Sequence, residues 1–451
     1  MKVLLVSPNI ETLPDPVFPL GLSYLAASLR DRGLSHRILD LCFIDNYEDE
    51  IGKILAAYDP DVIALSLRNV DNVSYPNYIS YIPFYEKVVQ TMRRRSRAPI
   101  VLGGSGFSLL PGPLMKLLQA DFGIVGEGES ALAGLVEQIE RNDCPPGKII
   151  EGYCESEAHH HDLPQPDRSL FENENYLVRG GMGNIQTKRG CPFRCIYCTY
   201  PVIEGQQMRM RSPNSVCDEI EDLLHRGIDT IFVVDNTFNY PLRHAEQICE
   251  EIIRRRLAIK WSCYANPGFV TEGLIERMMT AGCTGVEFGT DAANDIMLQN
   301  MGKGFTVADI TRASSICREA AMPFCHSLLL GGPGETMDTV QETLNTINTL
   351  SPTAAIAMVG IRVFPKTALS DIAKNEGMIT ADEDFLKPVF YLAPAVKNKL
   401  LPHIENFAKS HRNWILPGLN VNITLDLQRK LRRFGIKGPL WEHMKTGYRS
   451  K

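Results

Sequence analysis

The sequence contains no run of the roughly 18 to 20 consecutive apolar residues that a membrane-spanning helix needs. Its first ten residues, MKVLLVSPNI, begin like a signal peptide. The apolar run stops at a polar Ser-Pro-Asn turn, however, and no small-residue cleavage site follows, so the segment reads as a buried strand and the expected location is cytoplasmic. A strong charge imbalance is also missing. With 53 acidic and 47 basic residues the net charge is −6, which gives no electrostatic reason to expect a nucleic-acid partner. The twelve cysteines do not form a disulfide framework of the kind found in short secreted chains. Most stand alone in apolar stretches, where Cys42, Cys263, Cys283 and Cys325 read as small buried hydrophobes. At 451 residues, 44% hydrophobic and 22% charged, the chain can bury the cores of two or three globular domains.

What is present is an alternation of apolar runs and helix-like segments. Residues 1–140 carry strand candidates at 3–6, 36–41, 61–66, 98–104 and 122–128, with helices near 21–31, 47–57, 83–95 and 113–118. Continuous Val/Ile/Leu strands separated by helices predict a parallel sheet covered on both faces, hence a Rossmann-like or flavodoxin-like domain. Residues 141–180 are polar and proline-rich and read as a linker. The adjacent His159, His160 and His161 fall within it and read as solvated residues, because consecutive side chains do not readily converge on one ion. A second alternation over 181–380 has strand candidates at 184–188, 230–234, 260–264, 284–288, 324–330 and 355–362, which fits a partial (βα)6 barrel with its site at the strand C-terminal ends. Residues 381–451 lose this rhythm and read as an α-rich extension, and its basic stretch around Arg429, Lys430, Arg432 and Arg433 reads as a solvated helix face.

One cluster carries chemistry. Thr187-Lys-Arg-Gly-Cys191-Pro-Phe-Arg-Cys195-Ile-Tyr-Cys198 places three cysteines at C-x3-C-x2-C directly after the first strand of the second half. Three thiolates can hold three irons of a cubane cluster and leave the fourth open, whereas a closed zinc or ferredoxin site would use a fourth cysteine, and none is near.

This motif, with Gly190 before it and Tyr197 inside it, resembles the radical-SAM superfamily over about 181–390. The resemblance implies a 4Fe–4S cluster on Cys191, Cys195 and Cys198, with S-adenosylmethionine on the open iron and an external reductant such as flavodoxin or ferredoxin. It also implies that Asp235, ending FVVDNTFN, lies near the methionyl amine. Gly289, Thr290 and Asp291 of VEFGTD become candidates for the methionyl carboxylate and ribose. The turn LLLGGPGET resembles the cobalamin-linked branch, and a doubly wound domain ahead of the barrel resembles that branch's architecture. There VLGGSGFS, with Gly103, Gly104 and Ser108, and VGEGES, with Gly126, Glu127 and Gly128, supply glycine turns for close approach of cobalamin. Glu127 and Glu129 are alternatively helix caps.

The Asp-x-His-x-x-Gly loop that brings histidine to cobalt in many cobalamin domains is absent. The third strand instead ends Ser66-Leu-Arg68-Asn69, similar to a subgroup that includes a tryptophan C-methyltransferase, in which an arginine faces the lower side of the corrin. An arginine there cannot donate a lone pair. The resemblance therefore implies a cobalamin-dependent methyltransferase acting on a weakly nucleophilic carbon or other atom of an unidentified substrate. The alternatives are a cobalamin-dependent cyclase or rearrangement enzyme that transfers no methyl, and a non-enzymatic cobalamin carrier or sensor. On the presumed barrel strands, Tyr264, Glu287, His326 and Arg362 are candidate acid–base groups.

Overall fold

The computed structural model describes residues 1–12, 15–152 and 165–444; the histidine triplet at 159–161 lies outside the described residues. Six parallel strands form the first sheet: β1 (Lys2–Ser7), β2 (Ser35–Asp40), β3 (Val62–Ser66), β4 (Ile100–Gly103), β5 (Phe122–Val125) and β6 (Lys148–Glu151), in the order β2-β1-β3-β4-β5-β6. Alternate residues of β1 and β3 pack into two separate cores. Leu4, Val6, Ile63 and Leu65 face one, while Val3, Leu5, Val62 and Ala64 face the other. Burial on both faces explains why these strands read as unbroken apolar runs. The strand order reverses between β1 and β3, so a crevice opens outside their carboxyl ends.

The sixth strand was not foreseen, since it falls in the stretch expected to be a linker. Its sequence, KIIE, is mostly exposed and shows no alternation, so hydrophobic patterning carries no trace of it. It follows from pairing instead, with Phe122 to Val125 matched to Lys148 to Glu151.

The second sheet is also parallel, in the order β17-β14-β13-β12-β11-β10-β7. Its members are β7 (Gly183–Ile185), β10 (Thr230–Val233), β11 (Lys260–Ala265), β12 (Cys283–Asp291), β13 (Phe324–Leu330), β14 (Ala354–Val359) and β17 (Trp414–Ile415). Two of the expected strands are shorter than their apolar runs. Residues 184–188 split into β7 and β8 (Lys188–Arg189), which pairs with β9 (Arg209–Met210). Residues 355–362 divide at Gly360, whose φ of +76° breaks the extended chain, into β14 and β15 (Ile361–Arg362), and β15 pairs with β16 (Phe390–Tyr391). The region expected to be α-rich supplies β17, a two-residue edge strand too short to leave a periodic signal.

The same region closes the end of the barrel where the strands begin. Ser262 Oγ donates to Glu442 Oε1 at 2.7 Å. Its register partner Gly285 has no side chain to obstruct this: a Cβ there would stand 2.7 Å from Glu442 Oε1 and 2.8 Å from the Trp441 ring. Trp441 itself is buried. Above this floor, inward-facing strand residues such as Phe232, Glu287, Ser327 and Leu329 are half-buried and Tyr264 is 38% exposed, although strands flank all of them. The lumen is therefore open space.

The turn after β4 is set by backbone crowding. Gly104 has φ +92°, and a Cβ on it would lie 2.8 Å from Leu67 O. Gly134, within the helix Glu129–Glu140, has nothing within 4 Å of the same position. Gly104→Ala should therefore cost about 2–4 kcal/mol through strain and clash, while Gly134→Ala should add about 0.5–1 kcal/mol. Urea denaturation of the two variants, read as midpoints at unchanged slope, checks the contrast.

Candidate active site between the two sheets

The cysteine loop is positioned by Asp235, just past β10. This residue is 1% exposed, and its carboxylate accepts hydrogen bonds from Thr187 N at 2.6 Å, Thr187 Oγ1 at 2.5 Å and Lys188 N at 3.3 Å. Burial pushes its carboxyl up, against the opposing pull of Lys188, whose ammonium lies 3.7 Å away. Asp235 thus holds the start of the cysteine loop, with three of the hydrogen bonds its carboxylate can accept coming from the fold.

Gly190, at φ +84°, permits the closure of β8 on β9, because a Cβ would lie 2.0 Å from Gln207 O. Backbone hydrogen bonds then fix the loop, from Cys191 N to Gly205 O, from Cys198 N to Cys195 O and from Ile196 N to Met301 O, each 3.1 Å. Burial raises the pKa of all three thiols, and Cys198 reaches about 12. The Cys195 sulfur adds to the rise at both Cys191 and Cys198, so the three lie close together.

Lys303 opposes this rise at all three thiols. Its ammonium sits 2.6 Å from Asp291 Oδ2, which also accepts from the Tyr197 hydroxyl. Burial works against the charge on Lys303, but Asp291 and Cys195 outweigh it and its pKa lies above the ordinary value. The strand register shifts between Gly289 and Asp291, and Asp291 takes φ +65°, an irregularity of the kind that re-aims a side chain.

Among the described residues no three Cys, His, Asp or Glu side chains surround a single metal ion. Three neighbouring thiols on a pinned loop with no fourth protein ligand suit a cluster whose irons are ligated one by one. Beside them a Cβ on Gly289 would meet nothing within 4 Å, so ligand can approach the backbone there. Thr290 faces the other way. Its hydroxyl is 2.7 Å from His326 Nδ1, and His326 Nε2 is 3.1 Å from Ser314 Oγ on the surrounding helix layer. Both residues are fully buried, and their side chains bond to one another and to Ser314.

Across the interface, the crevice at the β1/β3 reversal holds Arg68. Its loop is fixed by Ser105 Oγ on Arg68 O at 2.7 Å, Gly106 N on Leu67 O at 2.8 Å and Tyr85 hydroxyl on Asn69 O at 2.6 Å. Among the described residues its guanidinium has no carboxylate partner, yet it favours ionisation of Tyr81 and Tyr85 in its own domain and of Tyr200 and Tyr264 in the other. Ser108 ties the two glycine turns together, donating to Gly104 O and accepting from Gly126 N, both at 2.9 Å; its hydroxyl is thereby used within the fold. Gly128 lies against Leu25, so its small size serves helix packing.

Glu127 and Glu129, at the start of the helix Glu129–Glu140, both meet arginines of the second domain. Arg189, two residues before Cys191, pairs with Glu129 at 2.6 Å and Glu127 at 3.2 Å, and Arg209 also binds Glu127. These pairs join the VGEGES turn of the first domain to the cysteine loop of the second. Arg362 is likewise occupied, by Asp71 at 2.9 Å in a buried pair between the domains.

Two family models match the chain: the Radical SAM superfamily over residues 185–347 and the B12 binding domain over residues 6–136. The chain belongs to the cobalamin-binding branch of the radical SAM superfamily. It is 26% identical to the tryptophan 2-C-methyltransferase of Streptomyces laurentii, over 82% of this chain and 74% of that one. It is 27% identical to an uncharacterised methyltransferase of Pyrococcus horikoshii, over 76% and 77%. The solved structure of TsrM, a radical S-adenosylmethionine methyltransferase from Kitasatospora setae with tryptophan and a SAM analogue bound, superposes with a TM-score of 0.88. That match is at 25% identity and covers 98% of this chain and 97% of that one.

For this radical SAM chain the residues that sequence reading missed are Lys303, Arg189 and the floor residues Trp441 and Glu442. Lys303 had one signal, its place between Gly302 and Gly304 shortly after the VEFGTD strand. Arg189 had only its proximity to Cys191.

Burial alone would raise the Glu129 carboxyl, but Arg189 reverses this and holds it below the ordinary value. The stability from that pair is therefore fully present above about pH 4.5, the usual Glu range, and is lost as pH falls through the depressed folded-state value. Arg189→Met, which leaves two nearly buried carboxylates short of a partner, should cost about 3 kcal/mol at pH 7. It should also flatten the acid limb of a stability–pH curve measured by thermal unfolding.

Proposed function

We propose that this chain transfers a methyl group from S-adenosylmethionine, by way of cobalamin in the β1/β3 crevice, to a weakly nucleophilic carbon or other atom of a substrate held in the barrel lumen. One observation carries the reading. The Arg68 guanidinium of the cobalamin-binding domain is felt by Tyr200, two residues past Cys198, and by Tyr264 in the lumen. Crevice, cysteine loop and lumen thus lie near one another, as a single reaction across them requires. The named activities of the relatives support methyl transfer over cyclisation or carriage.

When bound, the cluster supplies low-potential electrons, S-adenosylmethionine the methyl group, and cobalamin a metal able to carry it. The protein's residues supply placement. Cys191, Cys195 and Cys198 would hold the cluster, and Tyr197, Gly289 and Asp291 would bound the space for the methionyl end of S-adenosylmethionine. Gly103, Gly104 and Gly126 would shape the crevice wall. Arg68 would lie toward the cobalt side of the crevice, where a guanidinium has no lone pair to offer the metal. An external reductant such as flavodoxin or ferredoxin delivers electrons. Among the described residues no helix is long and apolar enough to cross a membrane, which accords with a cytoplasmic location.

Anaerobic reconstitution should give about four irons per chain, and replacing the three cysteines together by alanine should remove them. With substrate from a cell extract, methylated product should appear together with S-adenosylhomocysteine. Turnover without S-adenosylhomocysteine overturns the proposal. If substrate hydrogen abstraction precedes methylation, 5′-deoxyadenosine accompanies it; in polar transfer it does not.

Electron paramagnetic resonance of the cobalt(II) form should lack nitrogen superhyperfine splitting in the wild type and in Arg68→Lys, and Arg68→His should introduce it. Methyl-transfer rates should fall from wild type to lysine to histidine. An Arg68→Ala variant with unchanged spectrum and turnover would place the guanidinium away from the cofactor.

A further inference from the structure

Glu287 is a lumen group that the proposed reaction leaves without a task. It lies beside Tyr264, its register partner on β11, and Ser327 Oγ donates to its Oε1 at 2.5 Å. Burial pushes its carboxyl above the ordinary value, while Ser327 and the Trp441 indole work against that. Among the described residues no lysine, arginine or histidine pairs with it.

Other buried carboxylates are treated differently. Asp71, Glu127, Glu129, Glu219, Asp235 and Asp291 each have an arginine or lysine within 4 Å. Glu335 and Glu442 lack a cation, but the first holds the amides of Gly331 and Gly332 and the second holds Ser262 within the floor. Glu287 is instead half-buried at the lumen, with only the Ser327 hydroxyl and the Trp441 indole as donors among the described residues. Tyr264 at its side is 38% exposed to the lumen, and Phe232 meets that ring edge-on with centroids 4.8 Å apart. A carboxylate short of a cation, flanked by aromatic rings in a low-dielectric cavity, is complementary to an ammonium group. It is hostile to an anionic one, since like charges there repel strongly.

We propose that Glu287, with Ser327 and Tyr264, forms the inner end of the substrate site and receives a protonated amine of the substrate. The proposal rests on the methyltransferase reading, and it narrows the substrate to molecules that carry a cationic nitrogen remote from the methylated atom. The amine docks as an ion pair, its N–H groups donating to the carboxylate lone pairs that Ser327 and the Trp441 indole leave free. Arg68 and the thiols then lie toward the other end of the bound molecule.

The test uses two isosteric probes, phenethylamine and 2-phenylethanol, titrated into the reconstituted holoprotein and followed by saturation-transfer NMR. A charge-assisted bond gives the amine an advantage on the order of tenfold in the wild type. Glu287→Gln, which keeps the shape and the bond from Ser327, should reduce it to about twofold or less by the same reckoning. Glu287→Asp, which withdraws the carboxylate by one methylene, should fall between and serves if the glutamine variant does not fold. Tyr264→Phe should retain the preference. Equal binding of the two probes to the wild type, binding of neither, or an unchanged ratio in both Glu287 variants overturns the proposal. S-adenosylhomocysteine formed with reductant reports the methyl-transfer reading separately, so the two can fail independently.

Discussion

The loop from Thr187 to Cys191 is gripped by carboxylates from two directions. From the barrel, Asp235 holds the amides of Thr187 and Lys188; from the first domain, Glu127 and Glu129 hold Arg189. The three thiols therefore sit at a position defined by both sheets at once. Every other distance in the site depends on this grip, including the span from the cysteine loop to Arg68 and the depth of the lumen beneath.

Such an arrangement is not a simple gain in stability. Removing ions from water costs several kcal/mol each, and apolar residues of similar volume often serve as well or better. What a buried pair offers here is direction. Arg189 meets two carboxylates on one turn, and the Arg168–Glu219–Arg211 group behind it pairs at 2.9 and 2.6 Å. Apolar packing at the same interface would tolerate sliding, whereas a forked guanidinium between fixed oxygens accepts few alternatives. The glycine turns act in the same sense. Gly104 and Gly190 leave no room for a side chain, so the backbone on either side of the interface has one approach.

The fold was legible where burial produces pattern. The mostly buried strands β1, β3, β10 and β13 read directly from their apolar runs, and the cysteine spacing located the cluster loop. Two kinds of element were illegible. Short edge strands such as β6 and β17 contribute pairing without periodicity. Side chains whose role is set by a distant partner gave a residue but not its direction: Asp235, Thr290 and Arg362 stood at plausible strand ends, yet each turns to a partner in the fold. Strand alternation assigns a side to each residue only once the register is known, and a bulge such as that at Asp291 resets it. Lys303 shows the converse, a residue in an irregular loop that tertiary contact brings to the centre.

The barrel floor has a kinetic meaning. The bond between Ser262 and Glu442 closes a loop of 180 residues, and the pair between Asp15 and Arg432 spans 417. Closure entropy and contact order place contacts of this range after the local βα units have formed. During refolding the lumen is thus a tube open at the bottom before it is a cup. Trp441 is covered only once that floor is in place, so in a variant whose other buried tryptophans, Trp261 and Trp414, are replaced by phenylalanine its fluorescence would time the closing step.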